Sequence, residues 1–408
     1  MKKILIHLFP YKFINHDYKI REFAELEKKF KTKVIIHDLS DILYSNFNHV
    51  KTKEDKNSIK FKSLSKWVKI FKKLKKKNVV VLNELNFDSF KSLVIHYFLK
   101  KSNMPILFDI NAGVIDESEI FSKKLNFEKI KIKFFKVLNN PKLFTFFLKK
   151  KILRLLFLFI KFNKIIILKS GEEKINLPFR YNYKKIVKVH SRDYSNFLNY
   201  KIINKKIKKK PIIFLDGPFP YLKGDEEFLF NEKGVTDIKR WYKEHNIFFD
   251  KLESFFSTKV IVIPHPKCKG IQNPFFKKRF VDRRTDAALQ LTPSSLFVIS
   301  GIFVSTAISF AISTLKPIFL IYSEQMKSPY KKNVLSSKEV AKIIGCGYLD
   351  INNFNKEDIL NKMKVNQNLY NIYKNKYLTS KKLLKKPNNL ILGNLIEQNF
   401  TNKGVTDA

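Results

Sequence analysis

Short aliphatic runs alternate with longer charged stretches along the chain, and this alternation constrains the fold more than any other feature. In the first half, strand-like runs occupy these segments: 3–8, 33–37, 78–82, 105–109, 165–168 and 186–190. The stretches between the first four have the length and charge of amphipathic helices. Strands separated by helices form parallel βαβ units, so the sequence predicts an α/β fold.

The same alternation restarts after the basic stretch 201–210, which we interpret as a linker or its edge. Strand-like runs follow at these positions: 211–215, 259–263, 296–299 and 317–322. Helical stretches are predicted at these positions: 237–256, 284–291, 305–314 and most of 336–399. A chain of 408 residues suits two domains, each with its own core. We therefore predict two Rossmann-like domains facing a cleft, over 1–205 and 206–380, with a C-terminal helical segment and a tail over 381–408.

The charge of the chain is extreme. Eighty Lys and Arg residues against 36 Asp and Glu give a net charge of +44. Codon bias in an AT-rich genome explains part of this excess but not the shortage of acidic residues. The charge favours an anionic partner, namely a nucleic acid, a lipid surface or a phosphate-bearing substrate. Because no helix-turn-helix, zinc-finger, RNP or KH signature accompanies the charge, we expect no nucleic-acid partner.

The two cysteines and the apolar segments predict a location. Cys268 and Cys346 lie in unrelated contexts, so we expect neither a disulfide framework nor a thiolate metal site, which fits a reducing, cytoplasmic location. Residues 1–9 are interrupted by Pro10 before a signal-peptide core is formed, and are predicted as a strand. The longest apolar segment, 152–160, is well short of the roughly 20 residues that span a bilayer.

Residues 121–162 have a different sequence pattern. Phenylalanine, leucine and isoleucine recur there at helical spacing among many lysines. Basic amphipathic helices of this kind settle on anionic lipid surfaces, and helices that cover a sheet are equally apolar on one face. Both interpretations remain open from the sequence.

Asp216 and Gly217 directly follow the strand run 211–215. The carboxyl ends of parallel strands form the ligand crevice of an α/β sheet, so the Asp216 carboxylate is placed to accept a proton from a substrate hydroxyl. An aspartate that only begins a turn is the alternative. Asp225 is a competing carboxylate.

His265 leaves the strand run 259–263 between two prolines, and Lys267 adds a positive charge beside it. A rigid, cationic histidine of this kind stabilises the charge of a departing phosphate. The alternative is a histidine with a structural role in a turn.

Ser305 and Thr306 stand at the predicted start of the helix 305–314, and Gly301 ends the preceding strand loop. Free amides and two hydroxyls at a helix start hold phosphate oxygens, although an N-cap explains Ser305 alone equally well. Arg284 and Thr285, at another predicted helix start, are weaker candidates for the same ligand.

These motifs together resemble a known group. Leu215-Asp216-Gly217, His265-Pro266 and Ser305-Thr306 resemble, in that order, the acidic-Gly, His-Pro and Ser-Ser motifs of bacterial sialyltransferases and related nonulosonic-acid transferases. Residues 298–320 are similar to the donor-binding region of bacterial surface-polysaccharide transferases. The chain departs from the pattern because one acid precedes Gly217 and Thr306 replaces a second serine. The resemblance covers roughly residues 211–322.

The resemblance implies a GT-B fold, with an acceptor domain over 1–205 and a donor domain over 206–380. It implies an inverting, metal-independent glycosyltransferase that uses a CMP-activated sialic or nonulosonic-type acid as co-substrate, with no other cofactor. Asp216 would be the base, His265 would assist the departure of CMP, and Ser305 and Thr306 would hold its phosphate. Together with the candidates named above, the predicted donor-binding set is Pro266, Lys267, Arg284, Thr285, Gly301, Ser305 and Thr306.

On the acceptor side, His190 and Asp193 follow a strand of the first half and Asp225 lies in the second. The expected acceptor is a cell-surface glycan or a lipid-linked precursor of lipopolysaccharide or capsule. The expected place of action is the anionic inner-membrane surface, where a cytoplasmic enzyme binds peripherally.

Two other functions remain open. A GT-B transferase with a UDP- or GDP-sugar would keep the fold, and Glu324 follows a strand where a ribose-binding acid could lie. A non-enzymatic basic protein that binds a membrane or nucleic acid is the second. A metal-dependent GT-A transferase is disfavoured, because no Asp-x-Asp occurs in the sequence.

Overall fold

The computed structural model describes most of the chain. The described residues are 3–44, 57–74, 78–87, 89–110, 141–160, 162, 165–173, 183–200, 209–217, 237–268, 276–277, 279–301, 305–323, 331–383 and 385–401. Their strands form two separate parallel sheets with helices around them. The predicted α/β fold with two Rossmann-like parallel sheets is confirmed.

The first sheet has seven strands in the order β3-β2-β1-β4-β5-β6-β7. The strands are β1 (Lys3–Phe9), β2 (Thr32–Asp38), β3 (Ser58–Lys60), β4 (Val79–Asn83), β5 (Ile106–Ile110), β6 (Ile165–Ser170) and β7 (Tyr183–Val189). The helices are α1 (Asn15–Ile20), α2 (Phe23–Phe30), α3 (Ser40–Leu43), α4 (Leu64–Lys72), α5 (Phe90–Ser102), α6 (Pro141–Leu158) and α7 (Arg192–Asn199). The strand order reverses between β1 and β4.

The second sheet has five strands in the order β12-β11-β10-β8-β9. The strands are β8 (Ile212–Leu215), β9 (Val260–Ile263), β10 (Val298–Ser300), β11 (Ile318–Tyr322) and β12 (Gly347–Asp350). The helices in this half of the chain are α8 (Ile238–Phe256), α9 (Ala287–Leu291), α10 (Ile308–Ser313), α11 (Lys331–Ile344), α12 (Lys356–Leu360), α13 (Gln367–Tyr373) and α14 (Asn388–Thr401). Short helical turns occupy Pro266–Cys268, Thr292–Ser294 and Lys374–Leu378.

Burial on both faces explains why the strands read as continuous aliphatic runs. All five residues of β4 are buried, because helices cover both sides of the sheet. Trp67 of α4 and Leu99 of α5 pack on one face of the first sheet, and Phe23 and Leu26 of α2 pack on the other. The second sheet is covered in the same way on its two faces.

The predicted strands lie within a few residues of the observed ones, and two strands were missed. These are β3 and β12, which form the edges of their sheets. The predicted helical region 336–399 therefore contains one strand. Residues 201–208, within the predicted linker, lie outside the described residues.

The chain returns from the second sheet to the first near its C-terminus. The Asn388 side chain accepts a hydrogen bond from the amide of His190 and donates one to its carbonyl, both at 2.8 Å. The amide of Asn389 donates to Glu22 at 3.0 Å. Leu395 and Ile396 of α14 then complete the core beside α2. The last helix is thus part of the first domain.

Gly171 marks where the first domain touches the returning chain. Its φ is +64°, and a Cβ there would overlap the backbone of Lys376 and lie 2.7 Å from the amide nitrogen of Tyr377. The adjacent amides of Glu172 and Glu173 donate to Asn375 and Lys376 at 3.0 and 3.1 Å.

We predict that Gly171→Ala disrupts the contact between residues 171–173 and residues 375–377. A non-glycine residue costs about 1–2 kcal/mol in the left-handed region, and the overlap adds to that cost. The melting temperature should fall clearly below that of Gly301→Ala, since no heavy atom lies within 4 Å of a Cβ at Gly301. Equal melting temperatures for the two variants would contradict the close approach.

Candidate functional site

Three predicted site residues follow neighbouring strands of the second sheet. Asp216 follows β8, His265 follows β9 by two residues, and Gly301 follows β10. β8 lies between β9 and β10, so the strand order reverses at this point. Ligands of open α/β sheets bind at the carboxyl ends of strands where the order reverses. The structure therefore brings these residues together at the position expected for a ligand.

Asp216 is the buried carboxyl group of this edge. Its amide donates to the carbonyl of Ile263 at 2.9 Å, and its side chain is buried, with 6% exposure. Its Oδ2 atom finds no hydrogen-bond partner among the described residues. Burial raises the pKa of Asp216 well above its ordinary value, and a hydrogen bond from the amide of Gly217 opposes this only in part. The carboxyl group therefore holds its proton more tightly than an exposed aspartate does.

The His265-Pro266-Lys267 segment forms a tight turn after β9. The His265 carbonyl accepts from the amide of Cys268 at 2.7 Å, and the Lys267 amide approaches His265 Nδ1 at 3.4 Å. His265, Pro266 and Lys267 are half-buried. The Lys267 ammonium lies 5.8 Å from the ring centroid of Tyr11, beyond the end of β1. The carboxyl edges of the two sheets thus face each other here.

Ser305 and Thr306 form a turn before α10, which begins at Ile308 and not at Ser305 as predicted. Ser305 Oγ accepts from the amide of Ala307 at 3.3 Å, so Ser305 does cap this turn. The Ser305 amide in turn donates to Ser300 Oγ at 3.3 Å. The half-buried Gly301 has open space where a Cβ would lie. This arrangement leaves room for a ligand beside the end of β10.

Arg284 is already engaged. Its guanidinium contacts both carboxylate oxygens of the buried Asp282, at 2.6–3.0 Å, and donates to Gln290 at 2.9 Å. An anion that binds Arg284 therefore shares it with Asp282. The half-buried Thr285 lies in the turn before α9.

The acceptor-side candidates have different surroundings. The His190 ring is buried, with Nδ1 2.8 Å from Thr379 Oγ1 and Nε2 3.0 Å from the Lys386 carbonyl, so it fixes the returning chain. Asp193 lies at the start of α7 near Thr306 of the second domain, and burial raises the pKa of its carboxyl group although the Thr306 hydroxyl opposes the shift. Asp225 lies outside the described residues.

The sequence did not reveal an ionic cluster at the carboxyl edge of the first sheet. Glu84, just after β4, accepts two hydrogen bonds from Arg21, at 2.9 and 2.8 Å. It also lies 2.9 Å from His7 and from Arg192, and Arg192 donates to Asp109 at 2.8 Å. The two arginines hold the pKa of Glu84 well below its ordinary value despite its burial.

Three atoms of this cluster have no hydrogen-bond partner in the described part of the chain. They are His7 Nδ1, Asp109 Oδ1 and Arg192 Nε. Burial raises the pKa of Asp109 although Arg192 opposes the shift, and burial lowers the pKa of His7. Asp109 and Arg192 thus retain hydrogen-bonding capacity at the carboxyl edge of the first sheet.

One sequence signal could have found this cluster. Only eight of the 80 basic residues are arginine. The guanidinium group bonds carboxylates with two parallel N–H groups, which lysine cannot do. In a chain that otherwise uses lysine, each arginine is a candidate for a paired carboxylate.

Helix α7 joins the two edges. Arg192 contacts Glu84 and Asp109 of the first domain, and the next residue, Asp193, lies near Thr306 of the second. Tyr194 packs in the core of the second domain. Within the described segments, no group of three or more His, Cys, Asp or Glu side chains is arranged to hold a metal ion. Metal independence stays a prediction.

Comparisons with known proteins give distant likenesses. No family model matches the chain, and no curated protein matches it. The wall teichoic acid polymerase TagF is 10% identical with a TM-score of 0.46, over 98% of this chain and 90% of that one. The glycosyltransferase SnogD from Streptomyces nogalater is 8% identical with a TM-score of 0.46, over 97% and 100%.

A third solved structure is an enzyme of another kind. UDP-N-acetylglucosamine 2-epimerase from Rickettsia bellii is 12% identical with a TM-score of 0.40, over 100% of this chain and 97% of that one. Likenesses at this level say nothing about substrate or reaction. The assignment of the fold rests on the two sheets themselves.

We predict that Glu84→Gln destabilises the first domain. The change leaves Arg21 and Arg192 buried without their shared carboxylate, and breaking a buried ion pair costs about 3–5 kcal/mol. Urea unfolding measures the loss. The control is Glu339→Gln, which breaks an exposed pair with Lys342 worth about 0–1 kcal/mol. Similar unfolding midpoints for both variants would refute the role of Glu84.

We predict that Asp216→Asn changes the pH dependence of stability. The folded-state pKa of Asp216 is raised, so its contribution to stability is present below the unfolded-state pKa and is lost as the pH rises through the folded-state value. The melting temperature of the wild type should therefore fall, relative to that of Asp216→Asn, as the pH rises above about 4, the ordinary pKa of an aspartate. Parallel curves over this range would show that the carboxyl group is solvated.

Proposed function

We propose that the protein is an inverting, metal-independent GT-B glycosyltransferase that moves a CMP-activated sialic or nonulosonic-type acid to a cell-surface glycan acceptor. The donor class rests on the order of the Asp216-Gly217, His265-Pro266 and Ser305-Thr306 motifs. A nucleotide-sugar donor and a glycan acceptor are the partners that this reaction needs.

One observation carries the proposal. Asp216, His265 and Gly301 end three adjacent strands where the strand order of the second sheet reverses, and this edge faces the carboxyl edge of the first sheet. A buried carboxyl group with a free oxygen, a histidine held in a turn and open space beside Gly301 thus lie along one edge. A nucleotide-sugar held there has its anomeric carbon close to both domains.

The proposed reaction is a single displacement. The acceptor oxygen forms a bond to the anomeric carbon while the bond from that carbon to the CMP phosphate oxygen breaks, and the hydroxyl proton passes to Asp216 or Asp225. A raised pKa suits Asp216 for this role, because a base that works near neutral pH binds a proton more tightly than an ordinary carboxylate.

His265 and the turn at Ser305 and Thr306 act on the leaving group. The phosphate gains charge as the sugar departs, and an imidazolium together with hydroxyl and amide donors stabilises that charge. The Thr306 hydroxyl lies near the Asp193 carboxyl group, so the phosphate oxygen would compete with that carboxyl group for it.

The proposed place of action is the cytoplasmic face of the inner membrane, where lipid-linked glycans are built. None of the described helices is long and apolar enough to cross a membrane. The net charge of +44 would draw both the anionic donor and the anionic lipid surface toward the protein.

The proposal predicts specific binding of CMP. A ligand that binds the native state stabilises it by about 2.7 kcal/mol when its concentration is 100 times the dissociation constant. The melting temperature rises as a result. CMP should raise it more than UDP or GDP, and Thr306→Val should reduce the shift. Gly301→Val should abolish it without unfolding the protein, since the new side chain enters open space that the ligand needs.

The matched control is Asp193→Ala. Both Thr306→Val and Asp193→Ala remove the interaction between the Thr306 hydroxyl and the Asp193 carboxyl group, but only the first removes a proposed phosphate donor. Asp193→Ala should therefore keep the CMP shift or increase it. A shift specific to UDP or GDP would assign another donor class, and the absence of a shift with any nucleotide would favour a non-enzymatic basic protein that binds a membrane or nucleic acid.

A further inference from the structure

Helix α6 presents apolar side chains on its outer face. Seven apolar side chains are 37–77% exposed, namely Phe144, Leu148, Ile152, Leu155, Leu156 and Leu158 of α6 and Phe159 directly after it. At 100° per residue these positions share an arc of about 160°. We call this set the apolar stripe. Such a stripe is larger than the scattered apolar residues of an ordinary surface.

Packing against the sheet does not account for the stripe. The side of α6 that packs inward carries Leu153 and Phe157, which are buried against Phe87 and Leu93. These two residues lie about 140–180° from the centre of the stripe around the helix axis. The two interpretations left open for 121–162 therefore apply to different faces of the described helix. Residues 121–140 lie outside the described residues.

The neighbouring helix α5 extends this surface and supplies charge. Phe90 and Tyr97 of α5 are half exposed, and the Lys100 ammonium donates to the Phe159 carbonyl at 3.3 Å. Lys149 and Lys151 are exposed on α6, between the residues of the stripe. The surface therefore combines an apolar centre with ammonium groups beside it.

We propose that the apolar stripe docks the protein on a bilayer that contains anionic lipids, with α6 lying in the plane of the interface. Charge selects this occupant. A second copy of a chain of net charge +44 is repelled, whereas an anionic bilayer is attracted and offers an apolar layer below its phosphates.

The energetics favour a reversible, peripheral association. Apolar burial contributes about 25 cal/mol per Å² of area removed from water, and each lysine near an anionic surface contributes about 1 kcal/mol. The side chains of the stripe enter the interface, and the lysines remain at the level of the phosphates. Both contributions are needed, so binding depends on the stripe and on the lipid charge together.

This surface deepens the proposed function, because it names what holds the enzyme beside a membrane-bound acceptor. Only the biological purpose of lipid binding rests on the proposed function. Lipid binding is measured without donor or acceptor, so the docking surface and the glycosyltransferase can fail separately.

The experiment is sedimentation of the full-length protein with vesicles. Vesicles of phosphatidylcholine with phosphatidylglycerol should bind the wild type. Vesicles of phosphatidylcholine alone should bind it with an affinity that is lower by about tenfold or more. Leu155→Ser with Phe159→Ser should reduce binding to the anionic vesicles about tenfold or more, because two apolar side chains no longer enter the interface.

Matched variants in the second domain separate the stripe from general charge and hydrophobicity. Ile247→Ser with Ile372→Ser alters two other exposed apolar residues and should leave binding unchanged. Lys149→Glu with Lys151→Glu should weaken binding more than Lys338→Glu with Lys356→Glu, which changes the net charge equally. Equal effects of the two charge pairs, or full binding by the stripe variant, would overturn the proposal. Light scattering that shows a dimer which the stripe variant converts to a monomer would assign the surface to a second copy.

Discussion

The return of the chain to the first sheet fixes how the two carboxyl edges face each other. Asn388 bonds to both backbone groups of His190, and α14 then completes the core beside α2. Because one chain crosses between the domains twice, their separation is limited by these buried contacts. The position of the edge with Asp216 and His265 relative to the first sheet therefore depends on a region that contains none of the predicted catalytic residues.

The two edges differ in the surroundings of their buried carboxyl groups. At the first edge the carboxylate of Glu84 is paired with two arginines, and its pKa is lowered. At the second edge burial raises the pKa of Asp216, and no cation of the described residues opposes the shift. A phosphate bound at the turn of Ser305 and Thr306 would raise the pKa of Asp216 further, because like charges disfavour ionisation. In the proposed reaction, donor binding would thus increase the tendency of Asp216 to take the acceptor proton.

Much of the fold follows from the sequence because parallel strands are buried on both faces. The aliphatic runs marked these strands, whereas β3 and β12 are short edge strands without such a run. Asp216, His265 and Gly301 could be predicted because each follows a strand. The pairing of Glu84 with Arg21 joins residues 63 positions apart, and that of Asp109 with Arg192 joins residues 83 positions apart. No local pattern encodes such pairs, and only the rare arginines signal them.

Helix α7 couples the edges through adjacent residues. Arg192 pairs with Glu84 and Asp109, and the carboxyl group of the next residue, Asp193, lies near the Thr306 hydroxyl. A donor phosphate bound at Thr306 would compete with the Asp193 carboxyl group for that hydroxyl. Arg192 would stay in the first domain through its own ion pairs, and Ser191 would still cap the start of α7. Occupancy of the donor side would in this way change the surroundings of the residue next to Arg192, which binds Asp109 on the other side of the cleft.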